Sequence, residues 1–186
     1  MIEGIILAGG FSSRANQNKM LFDFGGHPLI WHTIESLRPF VDRIIVVTGH
    51  YDSEIREALK NEKEIEFVYN KQYPMGMFSS VKTGVEITKS DFLILPGDCP
   101  FIPKKVISKI LAGNGAIRYP RYKEKDGHPL YVSKLLKKAL LDEPDDSNLK
   151  LFRDKQNCEV IQIDDENVLN DIDTQNDYNQ KLMERN

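Results

Sequence analysis

The first half of the chain alternates short apolar runs with segments of helical spacing. The runs are rich in Ile, Val and Phe and are bounded by Gly, Pro or Asp, which predicts four strands, at 4–8, 43–48, 65–69 and 92–95. Helices are predicted between them, at 28–37, 52–60 and 78–87. Strands that alternate with helices are joined by right-handed crossovers into a parallel sheet covered on both faces. The sequence therefore predicts an α/β fold.

The pattern is less regular after Asp98. Predicted helices fall at 104–111, 133–141, 148–154 and 175–183, and predicted strands at 116–119, 128–132 and 159–163. The charged stretch 120–127 is predicted to form a hairpin. The acidic stretch DEPDDS, residues 142–147, is interpreted as a solvated loop rather than a domain boundary, because no long linker divides the chain. A length of 186 residues suits one domain, and we predict a single domain over 1–186.

Composition excludes several classes of protein. The net charge of −3 lacks the basic excess that binding to a nucleic-acid backbone requires. Two cysteines, Cys99 and Cys158, form neither a disulfide framework nor a metal-ligand cluster. The apolar runs are too short to span a bilayer, and the N-terminus lacks the pattern of a signal peptide. We therefore expect a cytoplasmic protein with no membrane or nucleic-acid partner.

The stretch LAGGFSSRANQNK, residues 7–19, follows the first predicted strand. Gly9 and Gly10 let the backbone turn sharply and approach a ligand, because glycine has no Cβ. Successive N–H groups in such a turn bind anions, and Arg14 and Lys19 add positive charge suited to a triphosphate. The spacing matches neither a Walker A loop nor a GxGxxG motif. A plain strand-to-helix connection is the alternative interpretation.

Two further segments place carboxylates where a ligand is expected. Asp98 ends a predicted buried strand, and ligands of open α/β sheets lie outside the carboxyl ends of the strands. A carboxylate there suits Mg²⁺ held together with substrate phosphates. Asp171 and Asp173 precede the last predicted helix, and capping by neighbouring residues explains only part of that segment.

Five segments, in order, resemble signatures of the MobA-like nucleotidyltransferases. They are LAGGFSSRANQNK, NKQYPMGMFSSVKTG, PGDCPFI, GHPLYVS and NDIDTQNDY. Asn16 stands where that family usually has glycine, and asparagine tolerates a positive φ better than most residues. GMFSS and GHP are more typical of the molybdenum cofactor cytidylyltransferase branch, whereas LAGG resembles the guanylyltransferase form. The nucleobase therefore stays open, with CTP favoured.

The resemblance implies a Rossmann-like three-layer α/β/α sandwich with a mostly parallel mixed sheet, of the nucleotide-diphospho-sugar transferase type. It also implies that a substrate phosphate attacks the α-phosphate of a nucleoside triphosphate and releases diphosphate. The expected substrates are that triphosphate and a molybdopterin-type phosphate acceptor. Mg²⁺ is the expected cofactor, and a molybdoenzyme is a candidate partner.

The resemblance also assigns roles to individual residues. Those expected to bind the nucleotide are Leu7, Ala8, Gly9, Gly10, Arg14, Lys19, Asn70, Gly76, Ser79 and Ser80. Arg14, Lys19 and Asp98 are expected to be catalytic by positioning and charge neutralisation, since no covalent nucleophile is needed. Asp98 and Asp173 are expected to hold Mg²⁺, with Asp171 as the alternative second ligand. His128 is expected to face the acceptor.

Other functions stay open at this point. One is guanylyl transfer to the same cofactor, and another is nucleotidyl transfer to a sugar or polyol phosphate. A third is a non-catalytic, nucleotide-binding protein that serves the maturation of a molybdoenzyme. Arg14, Lys19, Asp98 and Asp173 together favour an enzyme, because binding alone does not require two metal carboxylates. Trp31 and His32 are interpreted as packing and surface residues, and His27 and His50 receive no role.

Overall fold

The structure, a computed structural model, describes residues 1–11 and 18–169. Its strands are β1 (Ile2–Ala8), β2 (Asp23–Phe24), β3 (His27–Pro28), β4 (Arg43–Thr48), β5 (Ile65–Tyr69), β6 (Asp91–Pro96), β7 (Ile117–Tyr122), β8 (Lys125–Asp126), β9 (Leu130–Val132) and β10 (Cys158–Gln162). Its α-helices are α1 (Leu29–Leu37), α2 (Asp52–Ala58), α3 (Met77–Glu86), α4 (Lys104–Ala112), α5 (Lys137–Leu141) and α6 (Leu149–Asp154). Short 3-10 helices occupy Lys19–Leu21, Arg38–Phe40, Tyr73–Met75, Lys134–Leu136 and Glu166–Leu169.

Every strand and helix predicted within the described residues is present, with small changes at the ends. Pro28, predicted to open a helix, lies instead in β3 with extended ψ, and α1 begins at Leu29. Asp52 is the first residue of α2, as predicted, and its carboxylate accepts hydrogen bonds from Thr48 and Arg56. The charged stretch does form a hairpin, because β8 pairs antiparallel with β7. The predicted helix 175–183 lies outside the described residues.

The large sheet is mixed and mostly parallel. Its strands follow the order β10-β7-β9-β6-β1-β4-β5, and β8 pairs with β7. β1 is parallel to both β4 and β6, whereas β9 runs antiparallel between β6 and β7. The predicted fold class is therefore confirmed.

Residues of the central strand point alternately into two cores, which explains its continuous apolar sequence. Ile6 and Ala8 join a core formed with side chains of α1, α2 and α4. Ile5 and Leu7 join a core formed with side chains of α3, α5 and α6. Each fully buried aliphatic side chain contributes about 1.5–3 kcal/mol relative to an exposed one. The sheet is thus the middle of three layers, and none of the helices described is long and apolar enough to cross a membrane.

The strand order places a crevice at the carboxyl end of β1. β4 and β6 lie on opposite sides of β1, so the chain leaves the first strand toward one side of the sheet and later returns to the other. Open α/β sheets bind ligands at such a reversal. The residues that follow β1, β4, β5 and β6 therefore converge on one edge of the sheet.

Candidate active site

The turn after β1 is packed closely against neighbouring segments. A Cβ added to Gly9 would lie 2.6 Å from Oγ of Ser80, and one added to Gly49 would lie 2.4 Å from the Gly9 carbonyl oxygen. Gly10 has open space around its Cβ position. The side chains of Leu7 and Ala8 are buried in the two cores, so only their backbone can face a ligand. Glycine at position 9 thus allows a close approach that a side chain would block.

Lys19 and Asp98 form an ion pair across this crevice. Lys19 Nζ lies 2.5 Å from Oδ2 of Asp98, and the two side chains are 12% and 16% exposed. Lys19 begins the 3-10 helix Lys19–Leu21, whose first turn is capped by Asn18. Asp98 follows Gly97, whose N–H donates to the Leu7 carbonyl over 2.9 Å. An ammonium and a carboxylate from distant parts of the chain therefore meet beside the first loop.

The turn that carries Asp98 is fixed to both β1 and α1. The hydroxyl of Thr33, a buried residue of α1, donates to the Gly97 carbonyl over 2.8 Å. A Cβ on Gly97 would lie 2.9 Å from Sδ of Met20, so Met20 covers this turn directly. These contacts hold the segments that carry Lys19 and Asp98 against each other.

Asn70 organises a second polar group next to Gly9. It is 2% exposed, and its Nδ2 donates to Ser79 Oγ over 2.8 Å and to Ser80 Oγ over 3.0 Å. Its Oδ1 accepts from the N–H of Gln72 over 2.9 Å. A satisfied buried amide of this kind fixes the two serines in place.

Gly76 is the N-cap residue of α3. Its φ of 102° and ψ of 179° belong to a region that essentially only glycine occupies. Ser79 Oγ lies within 2.8 Å of the Gly76 carbonyl oxygen, which ties the first turn of α3 to this glycine. Asn70, Gly76, Ser79 and Ser80 are therefore brought together, and Ser80 joins them to Gly9.

His128 lies at the same edge, on the other side of Asp98. β9 runs antiparallel to β6 with Leu130 opposite Ile94, so the chain before β9 passes the turn that carries Asp98. His128 lines a cleft of about 530 Å³ together with Lys125, Asp126, Lys150, Arg153 and Leu169. Its backbone N–H donates to the Val168 carbonyl over 2.8 Å.

The wall of this cleft is a charged network. Arg153 Nη2 lies 2.8 Å from Asp126 and 3.0 Å from Asp154, and its guanidinium lies over the Tyr119 ring. Burial lowers the pKa of Arg153, but the carboxylates of Asp154 and Asp126 outweigh it and the pKa is raised. The guanidinium is therefore a permanent charge in the cleft.

Comparison with known proteins identifies the family. Residues 4–159 match the model of the MobA-like NTP transferase domain. The chain belongs to this family. A molybdenum cofactor cytidylyltransferase of Escherichia coli is 31% identical over 95% of this chain and 93% of its own length. A probable molybdenum cofactor guanylyltransferase of Thermococcus sibiricus is 29% identical over 70% of this chain and 67% of its own length.

A solved structure of a nucleotidyl transferase has the same fold as this chain. A nucleotidyl transferase from Methanothermobacter superimposes with a TM-score of 0.85 at 22% identity, covering 100% of this chain and 99% of its own. The chain is therefore a nucleotidyltransferase with the nucleotide-diphospho-sugar transferase fold. The family match contains every site residue named from the sequence except Asp173 and its alternative, Asp171.

Part of the expected site falls outside the described residues. Arg14, Asn16, Asp171 and Asp173 lie there, so their roles stay predictions. Within 1–11 and 18–169, no three His, Cys, Asp or Glu side chains are grouped as metal ligands. Asp98 is the one expected metal ligand that the described part of the chain contains.

Two features of the site were missed in the sequence. Gly49 received no role, although a glycine directly after a buried strand is a signal of close backbone approach. Phe101, three residues after Asp98, has a φ of 67°, which is rare for a bulky side chain. Nothing in the motif PGDCPFI indicates that conformation.

Proposed function

We propose that this protein transfers a nucleoside monophosphate from a nucleoside triphosphate, CTP favoured, to the phosphate of a molybdopterin-type cofactor. An oxygen of the acceptor phosphate bonds to the α-phosphorus of the triphosphate. The bond from that phosphorus to the bridging oxygen breaks, and diphosphate leaves with the electron pair. The Lys19–Asp98 pair at the crevice beside β1 carries this proposal, because it places opposite charges where a metal-bound triphosphate needs them.

The nucleotide half of the site is built from backbone and small polar groups. Gly9 and Gly10 admit close approach of the triphosphate, and Lys19 supplies positive charge next to it. Arg14 would add a bidentate contact from the same loop. The fixed hydroxyls of Ser79 and Ser80 supply hydrogen bonds at the side of Gly9 nearest β5. These groups position the triphosphate and require no covalent intermediate.

Mg²⁺ suits the donor set at this edge. Asp98 offers a carboxylate with little exposure, and Asp173, or Asp171 beside it, would supply the second one. A bound Mg²⁺ would neutralise phosphate charge and favour departure of diphosphate. Two carboxylates suffice for this ion because it keeps waters and substrate oxygens as its other ligands.

We assign the acceptor to the cleft lined by His128. It contains the cations of Lys125, Lys150 and Arg153. Such a wall favours an anionic substrate even though Asp126 balances part of the charge. Delivery of the product to a molybdoenzyme is the partner interaction that this proposal implies.

The relatives support cytosine as the nucleobase, and one motif opposes it. The cytidylyltransferase relative matches almost the whole chain, whereas the guanylyltransferase relative matches a shorter part. LAGG in the first loop resembles the guanylyltransferase form. CTP is therefore the favoured substrate and GTP the second candidate.

A screen of nucleoside triphosphates tests the proposal. Purified protein with Mg²⁺ and molybdopterin would be incubated with CTP, GTP, ATP or UTP, and diphosphate release would be measured. Release that requires the acceptor and is fastest with CTP is expected. A clear preference for GTP would assign the protein to guanylyl transfer. Acceptor-independent release, or no release with any triphosphate, would contradict the proposal. Asp142→Asn, a change at an exposed carboxylate, is a control protein that should behave as the wild type.

A further inference from the structure

Phenyl rings join the segments that carry Lys19 and Asp98. Phe22 and Phe24 follow the turn of Lys19 and form, with Leu29, a small buried cluster apart from the two main cores. Phe101 follows Asp98 by three residues and packs against the same cluster. The segment that carries Lys19 and the segment that carries Asp98 therefore both contribute phenyl rings to one aromatic cluster.

The geometry of this cluster is well defined. The Phe101 ring centroid lies 5.3 Å from that of Phe24 at 69° and 5.0 Å from that of His32 at 55°. His32 is itself held, because its Nε2 lies 2.8 Å from the Phe24 carbonyl oxygen and must donate to it. Phe24 and His32 complete the triangle with an edge contact at 5.9 Å. Tilted and edge-on rings at these distances attract one another beyond the area that they bury.

The backbone of Phe101 is strained where the cluster holds it. Its φ of 67° lies in the left-handed region, which an L-residue with a bulky side chain disfavours. Such strain persists only where surrounding contacts over-determine the conformation, and it concentrates at functional sites. The ring contacts with Phe24 and His32 are among the contacts that do so here.

We infer that Phe101 is a positioning residue: its ring, clamped by Phe24 and His32, holds the turn of Asp98 in place against Lys19. The expected effect of Phe101 on turnover rests on the proposed function. The packing of the Asp98 turn against the Lys19 segment rests on the contacts alone. Met20 packed on Gly97 forms a second contact between the same two segments. Loss of the ring removes one of the contacts that set the distance between the ammonium and the carboxylate.

Three variants separate positioning from general stability. Phe101→Gly removes the ring and accepts a positive φ without strain. Glycine also loosens its own segment, so the response of the distant segment 18–24 is what reports on the ring. Phe101→Tyr keeps the ring and serves as the conservative rescue. Phe67→Ala is the matched control, because Phe67 is a half-buried phenyl on β5, remote from the ion pair, with a cation–π contact to Arg56.

Hydrogen exchange of the ligand-free protein is the first readout and needs no activity. In Phe101→Gly, amides of both 18–24 and 97–102 are expected to exchange several-fold faster, whereas Phe101→Tyr and Phe67→Ala leave both segments as in the wild type. Faster exchange confined to 97–102, or unchanged exchange in both segments, would overturn the inference. The result is independent of whether the protein transfers nucleotides.

Turnover is the second readout. Phe101→Gly is expected to lower kcat by roughly tenfold to a hundredfold with little change in KM for the triphosphate, because misplaced groups affect the reacting geometry more than binding. Phe101→Tyr should restore wild-type kcat. A Phe101→Gly protein with wild-type kcat, or one that loses only thermal stability to the extent that Phe67→Ala does, would overturn the inference.

Discussion

Charged side chains lie at both ends of β1, in very different surroundings. At the amino end, the Glu3 carboxylate is 1% exposed and accepts hydrogen bonds from Arg43 and from the backbone N–H groups of Lys89 and Ser90. At the carboxyl end, Asp98 meets Lys19 at the opening of a crevice. The amino end is closed by the protein's own donors, whereas the carboxyl end presents its charges to the candidate site.

This difference separates stability from activity. A buried carboxylate whose lone pairs are satisfied by fixed donors stabilises the fold, and its removal leaves those donors without a partner. A carboxylate beside a crevice can exchange its lysine for a metal or phosphate. We therefore expect substitutions at the two ends to have opposite consequences.

The largest expected effect is on turnover at the carboxyl end. Asp98→Asn should lower kcat by roughly 10²- to 10³-fold, because the amide cannot neutralise cationic charge or bind a metal as the carboxylate does. Its free energy of unfolding should fall by less than that of a substitution at Glu3, because the amide keeps an oxygen that can accept from Lys19 and the Asp98 side chain is 16% exposed, against 2% for Glu3. Steady-state kinetics and urea unfolding of one preparation would measure both. A variant with full turnover would show that Asp98 is only structural.

The complementary change at the amino end should act on stability alone. Glu3→Gln is expected to lower the free energy of unfolding by about 3 kcal/mol, because it leaves a buried network short of a charged acceptor. The kcat of the folded variant should match that of the wild type. Urea unfolding monitored by tryptophan fluorescence would measure the loss. A large fall in kcat with unchanged stability would reverse the assignment of the two ends.

The pH dependence of stability sharpens this comparison. Burial raises the pKa of Glu3, but hydrogen bonds from Lys89, Ser90 and Arg43 outweigh it, so the pKa lies below its ordinary value of 4.5. The stabilisation is therefore complete above the pKa of the unfolded chain and is lost as pH falls through the lower pKa of the folded state. The difference in unfolding free energy between wild type and Glu3→Gln should be constant near neutrality and shrink below about pH 4. A difference that persists unchanged to about pH 3 would contradict this account.

The smallest effect on the free energy of unfolding is expected from a substitution of Glu66, the exposed partner of Arg43. Arg43 also binds Glu66, whose side chain is 48% exposed. Glu66→Gln should lower the free energy of unfolding by less than about 1 kcal/mol, because solvent screens an exposed pair. The same urea titration measures it. A loss as large as that of Glu3→Gln would show that burial does not distinguish the two carboxylates.

Much of the fold could be predicted because its central strands are continuous apolar runs. β4 and β5 have the predicted boundaries, since Ile, Val and Phe favour strands and polar residues bound each run. β1 was predicted to begin at Gly4 but begins at Ile2, because a charged Glu3 argues against a buried strand until its partners are known. Those partners come from β4 and from the turn before β6, which the sequence does not place.

The hairpin of β2 and β3 was missed for a different reason. Its strands have two residues each, too short for periodicity, although Gly25 and Gly26 both have positive φ as a tight hairpin turn requires. The hairpin matters because Phe24 on it contacts Phe101.

The site could be predicted residue by residue but not as a geometry. The glycine-rich turn and the strand-end carboxylate indicated Lys19 and Asp98, because both have local signatures, whereas Asn70 and Ser80 were indicated by the family resemblance alone. The ion pair, and the contact of Ser80 with Gly9, depend on how loops from distant segments pack. Such pairings arise from tertiary structure and leave no local pattern.

The central claim, that Lys19 acts on a triphosphate at this crevice, is tested most directly by calorimetric titration of CTP and CMP into Lys19→Ala. The control is Lys60→Ala, which removes an exposed lysine paired with Glu57. We expect Lys19→Ala to weaken CTP by about ten- to a hundredfold while CMP binds as to the wild type, since only the triphosphate places phosphates beside the ammonium. Equal weakening of CTP and CMP, or unchanged CTP binding, would contradict the account.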